Sequence, residues 1–229
     1  MNNLLKACIF DLDGVLVDTA VYHYMAWKRL ALELGFDFTQ EQNEGLKGIS
    51  RMQSLEILLA EGGLVFDEAA KLKLADKKNR WYCEYIEKMT ANEILPGAAS
   101  LLKELRSNGI KTALGSASKN AETILRNTNL LSQFDVIVDG NNITKAKPDP
   151  QVFLLAAGQL KVKPEECVVF EDARAGIAAA VKAGMHSVGI GNPAWLNQAD
   201  IVVPALKDIS IDTLSNLFHT KGTSYETVY

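Results

Sequence analysis

Residues 8–23 read CIFDLDGVLVDTAVYH. The segment opens as an apolar, strand-like run and is then broken by Asp11 and Asp13, two residues apart, with Gly14 directly after them. On an extended chain a two-residue spacing sends both carboxylates the same way, and the glycine lets the backbone turn sharply away. In open α/β sheets ligands bind just beyond the carboxyl ends of the strands, which is where these two aspartates stand. Converging carboxylates repel, and burying them together is costly unless a cation or a proton compensates. The stretch therefore calls for a sheet around it and a positive charge beside it.

The rest of the chain offers the sheet. The runs ACIF, KTALGSAS, FDVIVDG, CVVFED, HSVGIG and DIVVP are short and continuously apolar rather than alternating, as strands covered on both faces are. Amphipathic segments lie between them. PGAASLLKELRSNG sets Ala98, Leu101, Leu102 and Leu105 on one face and stops at Gly109, while DARAGIAAAVKAG runs from a potential Asp172 cap to Gly184. From Asp18 to Glu93, however, the chain reads as helix after helix, including VYHYMAWKRLALELG and EAAKLKLADKKNRWYCEYIEKM. The expected architecture is a doubly wound, parallel-sheet, Rossmann-like α/β core of residues 1–17 and 94–221, interrupted by an α-helical domain over 18–93. The closing residues 222–229 lack a period and are expected to form a flexible tail.

Composition narrows the function classes. The 229 residues carry 24 Lys and Arg against 28 Asp and Glu, a net charge of −4, so no global field attracts nucleic acid or an anionic membrane. No apolar run approaches the roughly 18 residues of a membrane span, and Asp11 cuts the N-terminal LLKACIF too early for a signal peptide. A cytoplasmic protein is expected, acting as a monomer on small molecules, with neither nucleic acid nor membrane as partner. Cys8, Cys83 and Cys167 show neither a CxxC nor a companion histidine at metal spacing, and Cys8 and Cys167 fall in apolar runs suited to core packing.

A second acidic pair, Glu171 and Asp172, ends the run CVVFED on what should be a neighbouring strand. An all-oxygen cluster without histidine or thiolate favours a hard cation, and Mg²⁺ is the expected one. For Asp172 alone a helix N-cap is the plainer reading, but four acids at two strand ends point to a metal. GSASKN places Ser116 after another strand, where a hydroxyl and the amides of a starting helix make an anion cradle, and KAKPDP adds Lys147 on a proline turn. Carboxylates, a divalent cation, a hydroxyl and a lysine together describe phosphoryl transfer, with one aspartate attacking phosphorus and the other managing the proton.

DLDGV, GSAS, KPDP and FEDARAG resemble the four ordered motifs of the haloacid dehalogenase superfamily, and the likeness spans the chain. It implies Asp11 as the nucleophile that forms an aspartyl phosphate and Asp13 as general acid/base. It also implies Ser116, Ala117 and Lys147 at the phosphate, Mg²⁺ held by Asp11, Asp13, Glu171 and Asp172, and the helical insertion as a mobile cap. Features outside the core resemble the sugar phosphomutases of that superfamily. DTAVYHYMAWKRLA gives Thr19 and His23 the positions of a hinge threonine and of a histidine that aligns the acid/base. LKGISR carries over Lys47, Gly48, Ile49, Ser50 and Arg51 as substrate contacts, SASKN carries over Ser118, Lys119 and Asn120 as a second phosphate site, and KKNRWY puts Lys78 near the sugar. Isoleucine at position 49 for the usual valine, and DAR for the usual DSQ after the acidic pair, depart from that pattern.

The implied reaction interconverts β-D-glucose 1-phosphate and glucose 6-phosphate through a bisphosphate. A sugar-phosphate phosphatase, with water as second acceptor, shares the core motifs and differs at the distal site. A receiver-type signalling domain also has an acidic pocket and a lysine, but has no helical insertion after its first strand and carries its acceptor aspartate on a middle strand.

Overall fold

The computed structural model describes residues 4–46 and 49–220. Among the described residues six strands form one wholly parallel sheet: β1 Ala7–Phe10, β2 Lys111–Gly115, β3 Val136–Val138, β4 Cys167–Glu171, β5 His186–Ile190 and β6 Ile201–Val203, in the order β3-β2-β1-β4-β5-β6. The chain builds outward from β1 to β2 and β3, then crosses back to β4 on the other side of β1. That reversal between β1 and β4 is the switch point at which such sheets open a crevice beyond their carboxyl ends. Both faces are covered, which explains the unbroken apolar runs. Ala7 and Ile9 pack on one face with Phe153, Ala156, Ala179 and Ala180, while Cys8 and Phe10 join the core on the other. The Phe10 ring stacks on its register partner Phe170 at 4.5 Å.

Between β1 and β2 come four helices that build the insertion, α1 Ala20–Glu33, α2 Gln40–Glu44, α3 Arg51–Glu61 and α4 Glu68–Ile86, and then α5 Ala98–Ser107. The other helices among the described residues are α6 Ala121–Asn127, α7 Gln151–Leu160, α8 Arg174–Lys182 and α9 Ile211–Thr220. Helix starts follow local chemistry. Thr39 with Gln42 and Ser50 with Gln53 form capping boxes, and the Asp67 carboxylate accepts from Ala70 N at 2.7 Å. Within the insertion Trp27, Leu30, Phe38, Leu55, Leu58, Tyr82 and Ile86 are buried, in one apolar cluster that also includes Phe10, Leu12 and Leu16. The insertion meets the sheet domain where two chain crossings lie side by side: Asp18 N donates to Glu93 O at 3.0 Å and Leu95 N to Leu16 O at 2.9 Å. No helix among the described residues is long and apolar enough to cross a membrane.

Two local readings of the sequence need correction. β1 stops at Phe10, so strand alternation does not aim Asp13. The chain turns at once instead, with Gly14 N bonding Val17 O at 2.9 Å. Asp172 does not cap α8 either: the N-cap is Ala173, with no side-chain cap bond, and Ala173 N donates to Glu171 Oε2 at 2.9 Å. The tail, 222–229, lies outside the described residues.

Candidate active site

At the switch point β1 and β4 run in register, Phe10 beside Phe170, so the next residues, Asp11 and Glu171, face each other. Oxygens of Asp11, Glu171 and Asp172 all lie within 4.8 Å of one another. Asp11 and Glu171 are almost fully buried, and one cation is built in: Lys147, 1 % exposed, bonds Asp11 Oδ1 at 2.6 Å and also Glu171 Oε1. Burial opposes the lysine's charge, but the Asp11 and Glu171 carboxylates outweigh it and hold its pKa above the ordinary value. Burial pushes Glu171 upward, against the pull of Lys147. One ammonium against three carboxylates leaves a net negative cluster whose donors are all hard oxygens, a set that fits a divalent cation of the Mg²⁺ type. Two glycines clear its surroundings. Gly14 has φ +78°, and a Cβ there would stand 2.2 Å from Asp172 Oδ2; one on Gly176 would fall 1.9 Å from Glu171 Oε1.

The Asp13 carboxyl is not part of that cluster among the described residues. The resemblance implies Asp13 among the metal ligands; here its Oδ1 accepts from Thr19 Oγ1 on the turn that leads into α1. Burial, then the charge of Asp11, raises the Asp13 pKa to about 6, against the Thr19 hydrogen bond. A carboxyl poised there can both give and take a proton near neutrality. Beside it, His23 Nδ1 lies 3.0 Å from Lys78 Nζ, which also sits over the Trp27 and Tyr82 rings at 4.5 and 4.8 Å. Burial, Lys78 and Arg51 keep His23 well below its usual pKa, so the neutral ring accepts from the lysine.

Lys78 itself is lowered to about 7, by burial first and then by Arg51. A lysine whose folded pKa lies below its unfolded one costs stability. The cost is full below about pH 7 and fades as the pH rises toward the unfolded value near 10.5. Lys78→Met is therefore expected to raise the unfolding midpoint at pH 7, by about 2–4 °C for each kcal/mol recovered, with the gain vanishing near pH 10. Thermal unfolding at the two pH values checks this, and a variant less stable than the parent at pH 7 contradicts it.

A cavity of about 270 Å³ opens above these groups, between the sheet edge and the insertion. Its wall includes Asp11, Asp13, His23, Lys78, Asp172 and the loop Ser116–Asn120, together with Ile49, Ser50 and Arg51 from the start of α3. The buried Ser116 closes β2, and its Oγ accepts from Ser118 N at 3.1 Å. Ala117 O lies so near Gly140 that a Cβ there would come within 2.3 Å. Ser50 Oγ is engaged with Gln53 as the α3 cap, which leaves Arg51 as the charged group of that segment on the cavity. Thr19, Lys147 and Glu171 do not line the wall; Thr19 holds Asp13 from behind, and Lys147, anchored on Glu171, holds Asp11. Lys47 and Gly48 fall outside the described residues. Sequence reading missed Asn43, Ser54, Asn79, Thr144 and Lys145, all on the wall, and treated Trp27, another wall residue, as core alone. Asn79, next to Lys78 in KKNRWY, was the one with a local signal.

A family model described as haloacid dehalogenase-like hydrolase matches residues 5–184. The chain belongs to the haloacid dehalogenase superfamily. Among curated haloacid dehalogenase relatives, Beta-phosphoglucomutase of Bacillus subtilis is 45% identical over 212 residues, 92% of this chain and 94% of that protein. Phosphorylated carbohydrates phosphatase of Thermotoga maritima is 34% identical over 188 residues, 80% of this chain and 84% of that one. The crystal structure of beta-phosphoglucomutase from Clostridium difficile superposes with a TM-score of 0.90 at 43% identity, covering 95% of this chain and 98% of that one. Haloacid dehalogenase enzymes use a divalent metal, and Asp11, Glu171 and Asp172 form the group that can hold it. Membership also removes the receiver-domain alternative, since four helices follow β1 directly.

Proposed function

We propose that this chain acts as a β-phosphoglucomutase, interconverting β-D-glucose 1-phosphate and glucose 6-phosphate through phosphorylation of Asp11 and a β-glucose 1,6-bisphosphate. One observation supports the reading beyond relatedness: a single cavity is lined both by Asp11 and by Arg51, Ser118, Lys119 and Asn120, the residues read as a second phosphate site. A mutase needs two phosphate sites, because one phosphate reacts while the other is held. Mg²⁺ on Asp11, Glu171 and Asp172 would neutralise phosphate charge and let the carboxylate approach phosphorus.

The chain's own groups do the rest. The Asp11 carboxylate attacks phosphorus, with Lys147 fixing its Oδ1 and Ser116 beside it at the end of β2. Asp13 protonates the sugar oxygen as it leaves. In the other half-reaction Asp13 takes the proton from the C6 hydroxyl of β-glucose 1-phosphate as that oxygen attacks the aspartyl phosphate, and the bisphosphate so formed turns end for end before the freed Asp11 attacks its other phosphorus. Thr19 orients Asp13, and Arg51 offers a bidentate grip on the remote phosphate. The helical insertion, read as a cap over 18–93, excludes the water that would hydrolyse the aspartyl phosphate. Every group in this cycle comes from one chain, so a monomer suffices. The substrate class and the free thiols of Cys8, Cys83 and Cys167 agree with the cytoplasm.

Hydrolysis is the competing fate, and the Thermotoga maritima relative is named as a phosphatase. Arg51→Ala separates the two. It should cut conversion of β-glucose 1-phosphate by about 10²-fold, the effect of losing a charged transition-state clamp, while sparing phosphorylation of Asp11 by acetyl phosphate, which has no remote phosphate. An unchanged mutase rate removes Arg51 from the site.

A further inference from the structure

Asn120 was read from the sequence as a phosphate contact, yet its carboxamide is gripped by the helical insertion. Its Nδ2 donates to Asn79 Oδ1 at 3.2 Å, and Cys83 Sγ, one turn further along α4, donates to its Oδ1 at 3.6 Å. A turn beyond Cys83, Asn127 Nδ2 in α6 donates to Ile86 O at 3.0 Å. Three side-chain hydrogen bonds thus seam α4 of the insertion to α6 and its N-cap in the sheet domain. The covalent joint lies elsewhere, at the paired crossings Asp18–Glu93 and Leu16–Leu95. The residue that receives the seam belongs to the anion loop itself: Asn120 N donates to Ser118 Oγ at 3.3 Å, as Ser118 N does to Ser116 Oγ at 3.1 Å.

An amide NH₂ has two hydrogens. With one committed to Asn79, the other can serve an anion in the cavity, and an anion there would favour the rotamer that also meets Asn79. We propose that Asn79 is a positioning residue that couples occupancy of the remote phosphate site at Asn120 to closure of the insertion over Asp11. Closure then follows arrival of a substrate long enough to reach both ends, and water alone does not trigger it. Asn79 thereby sets the partition of phosphorylated Asp11 between sugar and water. The inference rests on the mutase reading above and deepens it.

The test measures, for wild type, Asn79→Ala, Asn120→Ala and the double variant, the ratio of glucose 6-phosphate to inorganic phosphate formed from β-glucose 1-phosphate with Mg²⁺ and a trace of bisphosphate. Asn79→Ala should lower the ratio about five- to tenfold, the scale of one hydrogen bond formed in the closed state. The double variant should be no worse than Asn120→Ala, because the two residues act as one unit. Asn79→Gln, which keeps the carbonyl acceptor, should recover part of the loss, which a general loss of folding would not allow. A wild-type-like ratio in Asn79→Ala, or independent multiplying effects in the double variant, overturns the coupling while leaving the mutase intact. A wild type that yields mainly inorganic phosphate brings down the mutase reading and the coupling with it.

Discussion

Asp13→Asn is expected to fold and still accept a phosphoryl group on Asp11 from acetyl phosphate, yet to turn over sugar phosphate about 10²–10⁴-fold more slowly, the usual contribution of a general acid/base. The asymmetry follows from the leaving groups. Acetate departs as a stable anion and needs no proton, whereas a sugar alkoxide must be protonated as the P–O bond breaks. Asp13 suits that task because its carboxyl lies outside the acidic cluster, is held by Thr19 and is raised to about 6 by burial and by Asp11. Intact-mass measurement of the phosphorylated variant beside a coupled glucose 6-phosphate assay separates the two steps. Turnover near wild type in Asp13→Asn would falsify the assignment.

Lys147→Met should strike both stability and chemistry. The parent ammonium sits between Asp11 and Glu171 and 4.9 Å from the centre of the Phe153 ring, nearly out of reach of water. Removing it leaves two buried carboxylates face to face, at a cost of about 3–5 kcal/mol in metal-free protein. That corresponds to a fall of about 6–20 °C in Tm. The pH dependence has a definite sign. Without the lysine only the hydrogen bond from Ala173 N opposes the burial and the Asp11 charge that raise Glu171, and a carboxylate whose folded pKa exceeds its unfolded one gains stability as it is protonated. The deficit should shrink as the pH falls from above 7 toward about 5, and Mg²⁺ should recover part of it at pH 7. Sugar turnover should drop by at least about 10²-fold even with saturating Mg²⁺. A Tm within about 2 °C of the parent in chelator would contradict this account of the cluster.

The sheet was readable because strands covered on both faces must be apolar throughout, and all six runs became strands, with Asp11, Ser116 and Glu171 at or just past their carboxyl ends. The helices declared themselves through their ends, Gly109 and Gly184 among them, both at positive φ. What stayed hidden depended on contacts between distant segments. Lys147 stands out in KPDP as a phosphate ligand, but its bond to Asp11, 136 residues away, has no signal in the sequence. Asn79 and Asn120 are 41 residues apart, and no periodicity links them. Asp13 does reach the same cavity as Asp11, but by a turn rather than by strand alternation: the strand ends at Phe10, and Gly14 then sends the chain past Asp172.

The central claim is that the phosphoryl group on Asp11 is passed to a sugar rather than to water. Incubating the wild-type protein with β-glucose 1-phosphate, Mg²⁺ and a trace of β-glucose 1,6-bisphosphate, and following both products by phosphorus NMR, tests it directly. The account predicts glucose 6-phosphate in large excess over inorganic phosphate from the first turnovers. Inorganic phosphate in excess would contradict it and make the protein a sugar-phosphate phosphatase.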